Sequence, residues 1–262
     1  MSEKNYKDGC KAAIFLFAHQ DDESGVFQLI LDEIERGMDV SCYYLTSGTF
    51  NGMPSDQRNH ESLRVLLNLG VKEDNIHFIG SKKLIADCDL INQLDYLFDF
   101  ISKLIVDNKC KPNLYLPAWE GGHSDHDALH VAGVLAAYQN GMLEMTYQAS
   151  LYNSKGCYGP WFKVLHPIIE NGEVYKSKIS LKNRFRFIKY CLSYPSQKTS
   201  WIGLFPFFLL HYLINGYQTW QPVSIDRIKE RQHKGSLYFD YRGFCDEFIF
   251  FKKINSFIDI TL

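Results

Sequence analysis

The stretch AAIFLFAHQDDE, residues 12–23, joins a short apolar run directly to a histidine, two aspartates and a glutamate. A brief apolar run that ends at polar side chains predicts a buried strand. Charged side chains are rarely buried unless they are paired or bind a metal ion. The polar half of the stretch is therefore either an acidic turn in solvent or a cluster that holds a ligand.

Strand and helix patterns alternate along the first 150 residues. Short apolar or β-branched runs predict strands at 11–17, 40–45, 76–79, 114–116 and 145–150. Segments with helical periodicity lie at 23–36, 56–69, 90–105 and 125–138, and Gly70 is placed to end the second of them. This alternation predicts an α/β fold, a Rossmann-like three-layer sandwich with a mostly parallel sheet. No GxGxxG stretch follows the first strand, so dinucleotide binding is not supported.

A second polar cluster, GGHSDHDALH at residues 121–130, follows the fourth predicted strand. Because the carboxyl ends of parallel strands meet at one edge of a sheet, we expect it to lie beside the first cluster. Each cluster alone is also compatible with a surface turn or with acids in the first turn of a helix. Imidazole and carboxylate side chains together suit zinc, so the pair of clusters predicts a metal site.

Composition places the chain among ordinary globular proteins. Of its 262 residues 46% are hydrophobic and 22% are charged, and a net charge of −2 gives no basic surplus for binding nucleic acid. Seven cysteines without a CxxC pair are typical of free thiols in a reducing compartment. The polar start, MSEKNYKDGCK, lacks the pattern of a secretion signal, so we expect a cytoplasmic location.

The pattern changes near residue 155. We expect residues 1–155 to form the core with the metal site, and 156–262 to form a C-terminal extension of helices and strands packed on it, within one structural domain overall. In the extension, 182–192 predicts a basic helix, and 236–254 a strand or hairpin followed by a packing helix.

The run WIGLFPFFLLHYLI, residues 201–214, carries no formal charge apart from one that His211 can take up. It is shorter than the about 20 apolar residues of a spanning helix, and Pro206 interrupts it. One interpretation is a buried helix. The other is an interfacial segment that contacts a membrane peripherally or holds a lipid-linked substrate.

Four motifs occur in a fixed order: AHQDDE, then LTSG at 45–48, RNHE at 58–61 and HSDH at 123–126. They resemble the LmbE/PIG-L family of zinc-dependent N-deacetylases, which usually shows AHPDDE, RxxE and HPDH. The resemblance covers residues 11–150, and SYPSQ and YRGFCDEF in the extension are similar to a bacterial subset. Gln20 and Ser124 replace the usual prolines, for which we expect a change in turn stiffness and no loss of activity.

The family pattern implies one zinc ion, held by His19, Asp22 and His126. It implies Asp21 as the general base that takes a proton from water. A protonated His123 would face the substrate carbonyl.

The resemblance assigns three supporting roles. Asp125 would orient His123, Arg58 would contact the substrate, and Glu61 would brace its helix. An acid that the family often carries after its third strand has no assigned counterpart in GSKKLIAD, residues 80–87. Lys82 or Lys83 in that stretch would instead favour a phosphate-bearing substrate.

The function implied is removal of the N-acetyl group from an N-acetylglucosamine-type sugar conjugate, a small molecule that is free or linked to lipid or phosphate. The alternatives are a zinc amidase that cleaves another amide, similar to thiol-conjugate amidases, and a non-catalytic sugar-binding relative. The extension would shape the substrate pocket in each case.

Overall fold

The computed structural model describes residues 11–49, 55–108 and 111–262. The strands are β1 (Ala12–Phe17), β2 (Asp39–Tyr44), β3 (Ile76–Phe78), β4 (Asn113–Pro117), β5 (Thr146–Ala149), β6 (Tyr152–Asn153), β7 (Lys163–Val164), β8 (Tyr175–Lys178) and β9 (Tyr217–Pro222). The helices are α1 (Phe27–Glu35), α2 (Asp56–Leu69), α3 (Ile79–Lys83), α4 (Leu94–Asp107), α5 (Ser124–Gln139), α6 (Leu181–Cys191), α7 (Lys198–Ile214), α8 (Tyr238–Tyr241) and α9 (Glu247–Thr261).

Seven strands form a mixed sheet in the order β3-β2-β1-β4-β5-β9-β8. The first five run parallel, and β9 and β8 extend the sheet in antiparallel pairing. In β1, Phe15 is aligned with Cys42 of β2 on one side and with Tyr115 of β4 on the other. The strand order therefore reverses between β1 and β4, and such a switch point leaves a ligand-binding crevice at the carboxyl ends of the strands.

The side chains of β1 alternate between two apolar cores, one on each face of the sheet. Ala13, Phe15 and Phe17 belong to the core that α1, α2, α6 and α7 cover. Ile14 and Leu16 belong to the core that α4, α5 and α9 cover. Because each fully buried side chain of this size contributes about 1.5–3 kcal/mol, β1 holds both helical layers on the sheet. The result is the expected three-layer sandwich.

The expected strands and helices of the first 150 residues are confirmed, with shifts at their ends. Helix α2 has the expected bounds, and Gly70 ends it in the left-handed region at φ 107°. The segment 23–36 divides into a 3₁₀ turn at Asp22–Gly25 and helix α1. The segment 90–105 likewise begins with a separate 3₁₀ turn before α4. Both 3₁₀ turns lie at the edge of the sheet where the parallel strands end. There the irregular backbone positions polar groups.

In the extension, the basic helix is confirmed as α6, and residues 201–214 lie in helix α7. Within 236–254 the expected packing helix is confirmed as α9, whereas the expected strand or hairpin before it is wrong, because that stretch contains helix α8. Asp246 explains the start of α9, because its side chain accepts the backbone N–H of Ile249 and caps the helix. The division at residue 155 stays a prediction, and β9 and β8 join the sheet of the core.

Within the described ranges, no helix is both long and apolar enough to cross a membrane. Cys42, Cys88, Cys157, Cys191 and Cys245 are all free thiols. The other two cysteines lie outside the described residues. The cytoplasmic location stays a prediction.

Candidate metal centre

The turn after β1 uses one strained residue to separate two adjacent aspartates. Asp21 has φ 102°, a left-handed conformation that costs a non-glycine residue about 1–3 kcal/mol. Two hydrogen bonds hold the turn: the backbone N–H of Asp21 donates to Glu23 Oε2 at 2.9 Å, and that of His19 donates to Asp22 Oδ2 at 2.7 Å. As a result the Asp22 carboxylate points toward the second cluster, whereas Asp21 Oδ1 lies 3.5 Å from Arg58 Nη2.

Three buried side chains from the two clusters meet at the switch point of the sheet. Asp22 Oδ1 lies 3.1 Å from His126 Nε2, and Asp22 Oδ2 lies 3.6 Å from His19 Nδ1. One possible ligand atom from each residue lies within 4.8 Å of the other two. The structure thus brings together the three residues that the family resemblance names as zinc ligands. We call them the metal trio.

Two further carboxylates contact the opposite side of the His19 ring. Asp125 Oδ2 and Asp87 Oδ1 each lie 3.0 Å from His19 Nε2. Since Nε2 is engaged by these carboxylates, Nδ1 is the ring nitrogen of His19 that faces Asp22. Histidines that bind metal commonly direct their second nitrogen to a carboxylate in this way.

His123 is held by the backbone at the start of helix α5. It is the N-cap residue, and its Nδ1 accepts the backbone N–H of Asp125 at 3.2 Å. The Asp125 carboxylate contacts His19 and accepts the backbone N–H groups of Cys88 and Leu90. This differs from the expectation that the Asp125 side chain orients His123, because buried N–H groups of a neighbouring loop occupy that carboxylate instead.

Asp87 is the site residue that sequence reasoning left unassigned. It ends GSKKLIAD, in a loop after α3 where Leu84 adopts a left-handed φ of 57°. Besides its contact with His19, Asp87 Oδ1 lies 3.5 Å from His123 Nε2. The sequence shows an acid at this position, but an irregular loop has no pattern from which the place of Asp87 in the site could be predicted.

The environments of the adjacent residues Asp21 and Asp22 shift their pKa values in opposite directions. Burial raises the pKa of Asp21 to about 7, although the Arg58 guanidinium opposes this shift. Burial also opposes ionisation of Asp22, but His126 and His19 outweigh it and hold the pKa of Asp22 well below its ordinary value. Asp22 is thus the stable anion of the pair, and Asp21 is the carboxylate that can exchange a proton near neutral pH.

Arg58 joins the polar loops at the edge of the sheet. Its guanidinium donates to the backbone oxygens of Gln20, at 2.9 Å, and Gly48. The Gln197 amide lies against the same guanidinium and accepts from it when its oxygen faces Arg58. Arg58 lines the pocket as expected of a residue near the substrate, and these contacts also give it a part in positioning Asp21.

Glu61 ties the extension to helix α2. Its carboxylate accepts the backbone N–H of Ser196 at 3.0 Å and the hydroxyl of the same residue. As expected, Glu61 also braces its own helix, because its Oε1 accepts the Gln57 side-chain amide at 3.1 Å one turn earlier in α2. The structure shows that it holds the SYPSQ segment, residues 193–197, over the site.

A cavity of about 560 Å³ opens beside the metal trio. One wall is polar and comes from the strand ends, with Asp21, Arg58, Asp87 and His123 among its residues. The opposite wall comes from the extension and includes Trp201, Leu204, Phe208, Arg242 and Phe244. Its volume is that of a small-molecule site, and its two walls suit a ligand with a polar and an apolar part.

Two buried carboxylates that sequence reasoning missed hold the second cluster in place. Glu120 accepts the backbone N–H groups of Leu151 and Tyr152 at 2.7 and 3.0 Å. Asp127 accepts the backbone N–H groups of Glu120 and Gly121. Burial raises the pKa of each carboxyl group to about 7. Together they join the end of β4, the start of α5 and the segment after β5.

The lysines expected to favour phosphate lie outside the pocket. Lys83 Nζ lies 6.0 Å from the centroid of the Tyr96 ring, and Lys82 and Lys83 are both exposed. In the basic helix α6, the Arg186 guanidinium donates to the backbone oxygen of Asn68 at the end of α2. Lys82, Lys83 and Arg186 therefore do not lie at the metal trio.

Comparison with known proteins agrees with this fold. Residues 14–137 match the model of the PIG-L family, described as GlcNAc-PI de-N-acetylase. No curated protein sequence matches the chain. The solved structure of A40926 pseudoaglycone deacetylase Dbv21 is 16% identical with a TM-score of 0.60, and covers 82% of this chain and 98% of its own.

Two other solved structures are similar in fold. A deacetylase–teicoplanin complex is 15% identical with a TM-score of 0.56, over 82% of this chain and 99% of its own. N,N'-diacetylchitobiose deacetylase from Pyrococcus horikoshii is 16% identical with a TM-score of 0.56, over 82% and 83%. The order of motifs and this match agree: residues 14–137 of the chain carry a PIG-L (LmbE-like) domain.

Proposed function

We propose that this protein is a zinc-dependent N-deacetylase that removes the acetyl group from an N-acetylglucosamine-type sugar conjugate. The observation that carries the proposal is the metal trio at the switch point, with Asp21 beside it and a pocket open to both. The fold resembles that of the solved A40926 pseudoaglycone deacetylase, of the deacetylase solved with teicoplanin and of N,N'-diacetylchitobiose deacetylase.

The metal trio fits a zinc ion by the chemistry of its donors. Two imidazoles and one carboxylate are a donor set typical of catalytic zinc, which keeps a further position open. The Asp125 carboxylate on Nε2 of His19 supplies the outer contact that such a ligand needs. When bound there, zinc supplies Lewis-acid chemistry, which polarises a carbonyl oxygen and makes water a stronger acid.

Asp21 has the properties of the general base. Its carboxylate lines the pocket beside the metal trio, and burial raises its pKa to about 7, where general bases work best at neutral pH. We infer that Asp21 takes a proton from the attacking water and delivers it to the departing amine nitrogen. The left-handed turn at Asp21 keeps this carboxylate apart from Asp22, so one aspartate can bind metal while its neighbour moves a proton.

His123 is suited to act as a neutral hydrogen-bond donor. Its Nδ1 accepts a backbone N–H, so the proton of the neutral ring lies on Nε2, which faces Asp87 in the pocket. Burial, with a contribution from the charge of His19, lowers the pKa of His123 to about 4. We therefore propose that the Nε2–H group polarises the substrate carbonyl, in place of the protonated ring expected from the sequence.

The test is release of acetate from N-acetylglucosamine, N,N'-diacetylchitobiose and an alkyl N-acetylglucosaminide by zinc-loaded protein. We expect Asp21→Asn to lower kcat by about 10²–10⁴-fold, the usual contribution of a general base. Asp74→Asn, at an exposed aspartate far from the pocket, is the matched control. Acetate release that survives Asp21→Asn unchanged would contradict the mechanism. No acetate from any conjugate, with zinc bound at one per chain, would favour hydrolysis of another amide or a binding role.

A further inference from the structure

Helix α7 is apolar around its whole circumference, yet only one side of it is covered. Trp201, Phe208 and Tyr212 on the inner side are buried in the core. On the outer side, Ile202 is 70% exposed and Leu210 is 54% exposed. A helix that is apolar on all sides is normally surrounded by protein core or by lipid. The outer side of α7 is therefore an unusual surface to leave in water.

Helix α6 enlarges this surface. The two helices pack together, with the ring centroids of Phe187 and Tyr212 5.7 Å apart and Arg184 Nη1 3.4 Å from the backbone oxygen of Leu213. Their exposed large apolar side chains include Leu181, Phe185, Leu192, Ile202, Leu210 and Ile214. We call this surface the α6–α7 face. Exposed apolar side chains that are grouped on two neighbouring helices are typical of an interaction site.

The charge of the surrounding segment is one-sided. Residues 174–225 contain seven lysines and arginines and no aspartate or glutamate, so they carry +7. Since the whole chain carries −2, all other residues together carry −9. Lys182, Lys189 and Lys198 are exposed on α6 and α7 beside the apolar side chains. His211, the one histidine within 201–214, is buried, and burial lowers its pKa, which favours the neutral ring.

We propose that the α6–α7 face is a docking surface for an anionic phospholipid bilayer. A helix pair that combines exposed leucine, isoleucine and phenylalanine with flanking lysines has the composition of elements that lie in a membrane interface. The apolar side chains enter the boundary between head groups and acyl chains, and the lysines contact anionic head groups. Helix α7, with 17 residues and Pro206 inside it, lies on such a surface and does not span it.

The same charge argues against a second copy of the chain as the occupant. In a twofold dimer a surface meets its own copy, so the +7 segment would face another +7 segment. A bilayer of anionic lipids offers the opposite charge, and a segment without acidic side chains meets no repulsion there.

Docking by this face would hold the pocket next to the bilayer. Trp201, Leu204 and Phe208 line the pocket from the inner side of α7, while the outer side of the same helix forms the α6–α7 face. One helix thus separates the catalytic cavity from the proposed lipid surface. The docking proposal stands independently of the proposed function, because binding to vesicles is measured without substrate.

The test is co-sedimentation of the full chain with vesicles of phosphatidylcholine and phosphatidylglycerol, compared with vesicles of phosphatidylcholine alone. We expect binding to the anionic vesicles that weakens with added salt. A triple variant, Ile202→Ser with Leu210→Ser and Ile214→Ser, should bind at least tenfold more weakly. The double variant Lys182→Glu with Lys189→Glu should also lose at least tenfold, because each change removes an attraction and adds a repulsion.

The matched control replaces three exposed apolar residues on other helices, Val106→Ser with Phe248→Ser and Ile260→Ser, and should bind as the unmodified chain does. Thermal unfolding followed by circular dichroism checks that all variants fold. Equal vesicle binding by the triple variant and its control would overturn the proposal. A concentration-dependent dimer that the triple variant abolishes, together with no vesicle binding by the unmodified chain, would assign the face to a second copy instead.

Discussion

The candidate metal centre, which is the metal trio with its neighbours Asp21, Asp87 and Asp125, and the α6–α7 face depart from the usual distribution of side chains in opposite ways. At the metal centre, charged groups such as Asp22 and Asp125 are buried, which is costly unless each finds a partner. On the α6–α7 face, apolar groups such as Ile202 are exposed, which gives up the burial that normally stabilises a fold. The proposed ligands, a cation in the first region and a lipid surface in the second, would account for both departures.

The two regions differ in whether their side chains already have partners within the protein. At the metal centre the carboxylates of Asp22, Asp87 and Asp125 already contact imidazoles or backbone N–H groups, so the site is preorganised. The exposed side chains of the α6–α7 face lack such cover from the described residues. We therefore expect changes at the metal centre to alter ligand affinity strongly, and changes on the α6–α7 face to leave stability almost unaltered.

The largest loss of zinc affinity is expected from His126→Ala. This change removes one nitrogen of the metal trio and leaves the Asp22 carboxylate without its neighbour at 3.1 Å. Loss of an outer contact typically costs 10–100-fold in metal affinity, so loss of a ligand should cost more than about 100-fold. Zinc affinity is measured by competition with a chelator.

His60→Ala is the control for this change, since His60 is exposed on α2 and is not among the residues that line the pocket. Zinc affinity that is equal in the two variants would show that the trio is not the metal site.

The sequence predicts that the two polar clusters meet, because the first directly follows β1 and the second follows the fourth predicted strand, whereas the choice of the metal trio within them comes from the family resemblance. Runs such as 11–17 and 114–116 have a clear strand pattern, and parallel strands bring their carboxyl ends to one edge. His19 and His126 could therefore be placed together without knowledge of any side-chain contact. The same reasoning predicts Asp21 beside Asp22, with only the left-handed φ of Asp21 left for the structure to show.

Other features depend on interactions that no local pattern records. Asp87 reaches the site through an irregular loop, and the direction of the Asp125 carboxylate is decided by N–H groups 35 and 37 positions away in the chain. The extension of the sheet by β9 requires pairing of Tyr147 with Pro222. An apolar run such as 201–214 shows that a helix is apolar, but not which of its sides the fold covers.

Smaller effects on zinc affinity and KM are expected from changes of the two carboxylates that contact His19. Asp125→Asn places an amide among the buried N–H donors of Cys88 and Leu90, so we expect a loss of about 10–100-fold in zinc affinity. Asp87→Asn changes a residue that lines the pocket. We expect this variant to raise KM more than it weakens zinc binding.

Chelator competition and steady-state kinetics on both variants separate the two roles. Equal losses of zinc affinity, with KM unchanged in each variant, would show that Asp87 and Asp125 both serve only to orient His19. A larger loss of zinc affinity in Asp87→Asn would reverse the assignment.

The smallest effect is expected on the stability of helix α7. Ile202→Ser changes a side chain that is 70% exposed, so the free energy of unfolding should stay within about 0.5 kcal/mol of the unmodified chain. Phe208→Ala, on the buried side of the same helix, should cost about 3–5 kcal/mol. Urea unfolding measures both. A cost above about 1 kcal/mol for Ile202→Ser would mean that this side chain already stabilises the free protein. The α6–α7 face would then be part of the fold's own packing, with no need for a lipid partner.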